Sequence, residues 1–406
     1  MLKDTLAIKT FQYKLRLNKR FEEAALSELE HNRQLYNAAL AERIGCYKLT
    51  GKGLNFLEQS RHLTDARTLP EVKAHLRSTQ QNTLKRLDLA YSAFFRRVKN
   101  GEAQERPRSA GFPRFKGRDR YHSFAQSFEA VRGCPLQGDK LKVPGVGTVR
   151  LRLSRKIEGK VKQLIITRRA DGWYALLVCQ VALPEPMPKT GKSVGIDVGL
   201  ENFATLSTDE PPIENPRYYR KAEQALVAQQ RLVSRKKRRS ANRKKAVALL
   251  GKKHLKVTRQ RTDFFHKTSL DLIGKYDDIT VEDLNIKGML KNHHLAKSIS
   301  DASWGTFVSI LENKAENAGR RVWKVSPRFT SQDCFECGNR VKKSLSQREH
   351  RCIACGFTVH RDLNSALIID RAGLARITPV ESHPAQRSRN VKVNRKPKGF
   401  IPAESL

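Results

Sequence analysis

The sequence predicts a multidomain α/β protein, and three patterns carry that prediction. Short Val-, Leu- and Ile-rich runs cluster at 120–190, in KLKVPGVGTVRLRLS, KVKQLIITRRA and WYALLVCQVAL. Glycines or charges separate them, as expected of antiparallel strands. Stretches with helical apolar spacing lie on both sides, at 21–45, 55–67, 71–99 and 217–275. From near Gly191 the order becomes strand–strand–helix–strand–helix. A chain of 406 residues has room for two or three domains with a sizeable core.

Each element has its own signal. Leu6 to Leu17 partly alternates apolar and polar residues and reads as the first strand. FEEAALSELEHNRQLYNAALAERIG then puts Phe21, Ala25, Leu29, Tyr36 and Leu40 on one helical stripe. A polar turn at 50–53 precedes two further helical stretches, the second ending in AYSAFFRRVK. Glycine and proline in GEAQERPRSAGFPRF mark a boundary near 100–113. If the first strand joins those at 120–190, the helices at 20–100 are an insertion into a small β-domain. VGIDVGLENFATLSTD reads as strand, tight glycine turn, strand. YDDITVEDL (276–284) and RRVWKVSP are further strands, and 301–319 is an amphipathic helix around Trp304, Phe307, Ile310 and Leu311. RDLNSALIIDRAGL is the closing helix, and the polar, basic tail after Pro379 reads as a flexible end.

Charge narrows the partner. Lys and Arg number 79 against 40 Asp and Glu, a formal +39. Such an excess is self-repelling unless a polyanion neutralises it, so nucleic acid is the expected partner. An anionic membrane surface is the rival, but there is no 18-residue apolar run. The start, MLKDTLAIKTFQYKLRLNKR, is charged from Lys3 and lacks a signal-peptide core, so the expected compartment is the cytoplasm. Between Arg231 and Arg261 lie fourteen Lys/Arg and no acid. A charge run is usually a solvated face, but this one is dense and one-signed, and like charges one helical turn apart repel. It reads as a phosphate-contacting helical pair.

Four of the seven cysteines form two CxxC pairs, Cys334/Cys337 and Cys352/Cys355, with fourteen residues between them. With no export signal this spacing points to tetrahedral zinc rather than disulfides, and Gly338 and Gly356 follow where tight turns are needed. Four thiolates leave no open position, so the zinc is structural, and His350 and His360 are not required as ligands. The alternative is a pair of redox dithiols. Cys46, Cys134 and Cys179 read as small buried hydrophobes.

Three acids have the chemistry for divalent-metal phosphodiester hydrolysis, which needs several oxygen ligands on a rigid frame. Asp197 ends an apolar strand in VGIDVG, Glu282 ends DITVEDL, and Asp362 lies at the first turn of the closing helix. Each also has an ordinary reading. Asp197 can cap a turn, Glu282 or Asp283 can face solvent, and Asp362 can be an N-terminal helix charge. Together, in that element order and in so basic a chain, they suggest an RNase H-like metal nuclease core. Asp301 is either an auxiliary acid or a cap for the helix that Trp304 buries.

VGIDVG, TVEDLNIKGM, LAKSISDASWGTF, KVSPRFTSQDCFECG and CIACG followed by HRDLNSA resemble the TnpB family. These are RNA-guided nucleases encoded by bacterial insertion sequences, relatives of the compact type V CRISPR effectors. LYNAAL, AYSAFFRRVK and GFPRFK with YHSFAQS extend the resemblance along nearly the whole chain. It implies a β-barrel wedge domain (1–18 and 110–190) interrupted by a helical recognition domain (19–109). A RuvC-like nuclease domain (191–330 and 357–378) would carry basic helices at 217–275 and a zinc knuckle at 331–356, with 379–406 as tail. Asp197, Glu282 and Asp362 match the family's catalytic acids, which would hold two Mg²⁺ ions. Cys334, Cys337, Cys352 and Cys355 match its zinc ligands. The implied partners are a guide RNA from the transposon end, one protein chain per RNA, and double-stranded DNA beside a short adjacent motif.

One departure is His360 where the family often has Asp; the last acid is kept. Gln80, Gln81, Asn82, Tyr121, Ser123 and Phe124 are the candidates for reading the adjacent motif. Lys73, Arg77 and Lys85, with Arg235, Lys236, Lys237, Arg238 and Arg239, are candidates for phosphate contact. A nuclease-silent repressor, a DNA transposase and a CRISPR-associated effector are the alternatives.

Overall fold

The computed structural model describes residues 6–100, 111–128, 135–344 and 347–377. The chain forms two compact units. One takes residues up to Pro186 together with Arg217–Lys267; the other takes Met187–Pro216 together with the chain from Thr268 on.

The first unit is built on a seven-stranded sheet of order β2-β6-β7-β1-β5-β4-β3. Its strands are β1 (Leu6–Arg16), β2 (Ser123–Ser127), β3 (Leu136–Gln137), β4 (Lys140–Val143), β5 (Gly147–Arg152), β6 (Lys160–Arg169) and β7 (Gly172–Ala182). Every pairing is antiparallel, as the short runs at 120–190 predict. Strand β1 lies between β5 and β7, so α1 (Lys19–Thr50), α2 (Phe56–Ala66), α3 (Pro70–Lys73) and α4 (Arg77–Lys99) are inserted after the first strand of this sheet. Phe11, Tyr13 and Leu15 point from alternate β1 positions into the core, where Phe21, Ala25, Leu29, Tyr36 and Leu40 of the predicted stripe meet them. Asn18 caps α1 by accepting from the Phe21 N–H. At its other end Gly51 adopts a left-handed φ of 67° and donates to the Tyr47 carbonyl.

The basic stretch of this unit starts with α5 (Tyr218–Arg235). The helical pair expected at 217–275 divides at 236–240, and α6 (Ala241–Lys275) follows. Arg239 takes a left-handed φ of 66° at the break. The turn of the β6–β7 hairpin receives α6. Arg259 donates to Asp171 Oδ2 at 3.0 Å and to the Tyr174 hydroxyl at 2.6 Å.

The second unit holds a five-stranded mixed sheet of order β10-β9-β8-β11-β12. β8 (Ser193–Val198), β9 (Asn202–Leu206) and β10 (Ile213–Glu214) pair antiparallel, whereas β11 (Asp278–Glu282) runs parallel to both β8 and β12 (Arg321–Val325). The helix expected over 301–319 divides at Ser303, which has φ 51°. Short α7 (Ile286–Met289) and α8 (His293–Ala302) precede that point, and α9 (Trp304–Asn317) follows. Phe307 of α9 meets Phe203 of β9 edge-on at 5.0 Å. A small hairpin, β13 (Glu349–Arg351) and β14 (Thr358–His360), runs straight into α10 (Arg361–Ile377), which packs on β8 and β11.

Of the scattered cysteines, Cys179 is fully buried as expected, whereas Cys46 is half-exposed near the end of α1. Cys134 lies outside the described residues, as does the tail after Pro379. Among the described residues, no helix is long and apolar enough to cross a membrane.

Candidate active site and cysteine cluster

Strand alternation places Ser193, Gly195 and Asp197 on one face of β8. Val281 of β11 pairs with Ile196, which sets Glu282 level with Asp197 on the neighbouring strand. Asp362 enters from the first turn of α10. The three carboxylates share one electrostatic field. Burial pushes the Asp197 carboxyl well above its ordinary range, the charges of Glu282 and Asp362 push it further, and Arg361 opposes them. Burial also raises Glu282, against a 2.6 Å hydrogen bond donated by the Thr330 hydroxyl. Asp283 faces solvent, and its N–H is tied to the Val325 carbonyl. Asp362 accepts from Arg361 Nε at 3.1 Å, and its own N–H donates to His360 Nδ1. A buried carboxyl such as Asp197, pushed up further by two neighbouring acids, lacks compensating positive charge, which a divalent cation supplies.

Asp301 is buried inside α8, two residues before Ser303, which occupies the N-cap position of α9. Capping is therefore not its place in the fold.

The four cysteines converge fully, with all Sγ atoms within 4.8 Å of one another. The Cys334–Cys355 and Cys337–Cys352 sulfurs are 3.7 and 3.5 Å apart. Both halves use the same backbone bonds. Gly338 N–H donates to Cys334 O and Cys334 N–H to Asn339 O; Gly356 N–H donates to Cys352 O and Cys352 N–H to Phe357 O. Gly338 and Gly356 have φ of 73° and 78°, conformations that side chains disfavour. A donor set of four sulfurs fits a closed, structural zinc site. His350, not required as a ligand, is fully buried, with Nδ1 against Lys343 Nζ. His360 is exposed.

The candidate nucleic-acid contacts divide by burial. Gln80 is buried, donating to the Val72 carbonyl and accepting from Arg67. Tyr121 is buried with its hydroxyl against Thr83, and Phe124 is a core side chain. These three are interior groups rather than surface readers: the helix turns Gln80 inward, β2 turns Phe124 inward, and Tyr121 is buried just before β2. Asn82 bonds Ser78 and Gln163, and Ser123 Oγ accepts from Arg86; both are half-buried, as is Gln81. Lys73, Arg77 and Lys85 are exposed. So are Arg235, Lys236, Lys237, Arg238 and Arg239, at the end of α5 and in the break after it.

Two partners of the acids, and one further half-buried acid, have no sequence signal of their own. Thr330 and Arg361 are ordinary residues until the fold brings them to Glu282 and Asp362. Asp370, eight residues beyond Asp362 on α10, accepts from the Ser193 and Ser207 hydroxyls at 3.3 and 3.2 Å.

A family model described as "Probable transposase" matches residues 176–293, and a Cas12f1-like TNB domain model matches 304–369. A Streptomyces pristinaespiralis protein described as "Putative RNA-guided DNA endonuclease" is 33% identical, over 84% of this chain and 84% of its own length. "Putative RNA-guided DNA endonuclease InsQ" of Escherichia coli K12 is 29% identical, over 84% of this chain and 87% of its own length. Among solved structures, the cryo-EM structure of a Cas12f1–sgRNA–target DNA complex superposes with a TM-score of 0.58 at 13% identity. That match covers 90% of this chain and 99% of the other, and it is a likeness of fold.

Proposed function

The chain belongs to the TnpB family, and from that premise we propose that it is an RNA-guided DNA endonuclease of a transposable element. Its guide would be an RNA from the transposon end, carried by one protein chain. Its substrate would be double-stranded DNA beside a short adjacent motif, met in the cytoplasm. The observation that carries the proposal is the common field of Asp197, Glu282 and Asp362, drawn from β8, β11 and α10.

In this reading the second unit is an RNase H-like, RuvC-type core, supported by its mixed sheet with β11 parallel to β8 and β12. The sheet of the first unit would be the wedge barrel, and α1–α4 the recognition domain inserted in it. Asp197, Glu282 and Asp362 hold divalent metal. A pair of bound Mg²⁺ ions would supply an activated water and stabilise the leaving oxygen. The chain's own residues set the geometry. Thr330 fixes the Glu282 carboxylate, and Arg361 holds Asp362 beside the knuckle hairpin. The cysteine-bound zinc keeps β13 and β14 folded at the entrance to α10. The exposed cations at 235–239, with Lys73, Arg77 and Lys85, take phosphates.

The test is cleavage of a guide-matched plasmid with a randomised flank by the RNA-loaded chain. With Mg²⁺, ends bearing 5′-phosphate and 3′-hydroxyl are expected. Asp197→Ala should retain RNA and target binding and lose cutting by at least about a thousandfold. A variant that cuts at the normal rate removes the three-acid site. Tight binding by the unaltered chain without product would favour the silent repressor, and joined transposon ends would favour a transposase.

A further inference from the structure

Helix α10 lies on β8 and β11 in a fixed register. On β8 the residues facing it are Ser193, Gly195 and Asp197, two apart. On α10 the matching residues are Asp370, Ala366 and Asp362, four apart. The steps nearly coincide, at about 6.6 Å for two strand residues and about 6.0 Å for four helical ones. Ser193 donates to Asp370 at one end. In the middle, a Cβ at Gly195 would stand 2.1 Å from the Ala366 carbonyl oxygen and 2.4 Å from the Asp370 nitrogen. At the far end Asp197 feels the charge of Asp362. The second strand repeats the pattern. Thr280, two residues before Glu282, fills the space where Gly373 lacks a side chain; a Cβ there would stand 1.9 Å from Thr280 Oγ1.

The glycines hold the helix at backbone contact, but backbone contact alone permits sliding. Asp370 Oδ2 supplies the stop, because it accepts from Ser193 of β8 and from Ser207, just past β9. Ser207 is itself tied to β8. Its Oγ accepts from Gly195 N–H at 2.9 Å, and its N–H donates to Gly195 O. The clasp thus closes on the strand that carries Asp197. Asp370 stands eight residues, or about 12 Å along the helix, from Asp362 and is too far to touch a metal at the acids.

We propose that Asp370 is a positioning residue, whose clasp to Ser193 and Ser207 sets the axial register of α10 and so places Asp362 over Asp197 and Glu282. The proposal rests on the three-acid reading. It is tested with Mn²⁺ as probe, followed by its electron-spin signal on the RNA-loaded full chain. The binding that disappears in Asp197→Ala defines the site's share, apart from Mn²⁺ on RNA. Asp370→Ala should keep RNA and target binding, weaken that share about tenfold and raise the half-saturating Mg²⁺ for cleavage in parallel. Asp370→Asn keeps an oxygen for both serine hydroxyls and should return both values to within about twofold of the original. A residue that only adds stability would lower the melting temperature and leave the metal midpoint unmoved; that result overturns the proposal. If Asp370→Ala does not fold, the Ser193→Ala/Ser207→Ala double variant decides, with the same shift expected and an unchanged midpoint overturning it. Equal Mn²⁺ binding by the unaltered chain and Asp197→Ala would remove the three-acid site, and the positioning role with it.

Discussion

Asp197 is held where ionisation is unfavourable, by burial first and then by Glu282 and Asp362. The folded chain therefore keeps this proton at a higher pH than the unfolded chain does. Stability is lost as pH rises from the unfolded carboxylate range through the raised folded value. Without divalent metal, Asp197→Asn should melt a few degrees above the unaltered protein near pH 7, and the gap should close toward about pH 4. Added Mg²⁺ should raise the melting temperature of the unaltered chain and not of the variant. Superimposable melting curves would mean that the acids do not repel. At this scale the sequence offered the acids as candidates but did not show their surroundings. Strand alternation by itself did not choose between Glu282 and Asp283, which point oppositely, and the choice of Glu282 came from the family resemblance; the sheet register then sets Glu282 beside Asp197. Gln80 and Tyr121 looked like surface polar groups because a sequence does not show which helix face is covered.

Strands and helices were legible from apolar periodicity: β4 to β8, β11 and β12 fall where Val-, Leu- and Ile-rich runs stand, whereas β2 (SFAQS) holds none of these residues. What escaped was the position at which the basic helical pair divides, near Arg239, and the break at Ser303. Both are left-handed residues other than glycine, so no residue type marks them. The cysteine cluster was the most legible element, because spacing, turn glycines and ligand number agree. Its two loops carry matching backbone bonds and bring their four sulfurs together at their centre. Cys352→Ser should lower bound zinc, measured by metal analysis, and lower the melting temperature. It should also slow cleavage, because the hairpin that the cluster anchors leads directly into Arg361 and Asp362. Full zinc content in that variant would exclude the tetrathiolate site.

Across the whole molecule the charge of +39 was readable from composition and its dense run at 231–261 from the sequence, but not which of those cations the fold exposes. The fold exposes the cations at 235–239 as a continuous run where α5 ends, so they compete for solvent or phosphate rather than for internal partners. Replacing all five with serine should weaken binding evenly across DNA and RNA sequences. The salt dependence, log K against log salt, should flatten by about 0.7–0.9 for each phosphate that is no longer neutralised. A change in sequence preference with an unaltered slope would place base readout there instead. The position of Asp362 on the last described helix also bears on how such a gene decays. A stop codon anywhere before residue 361 would leave β8 and β11 without their third carboxylate, while one falling after residue 275 would still let both basic helices be translated. On the three-acid proposal, copies damaged in that interval would lose cleavage while still encoding the basic helices proposed to hold nucleic acid, so a wrecked element would leave behind a binder rather than a cutter.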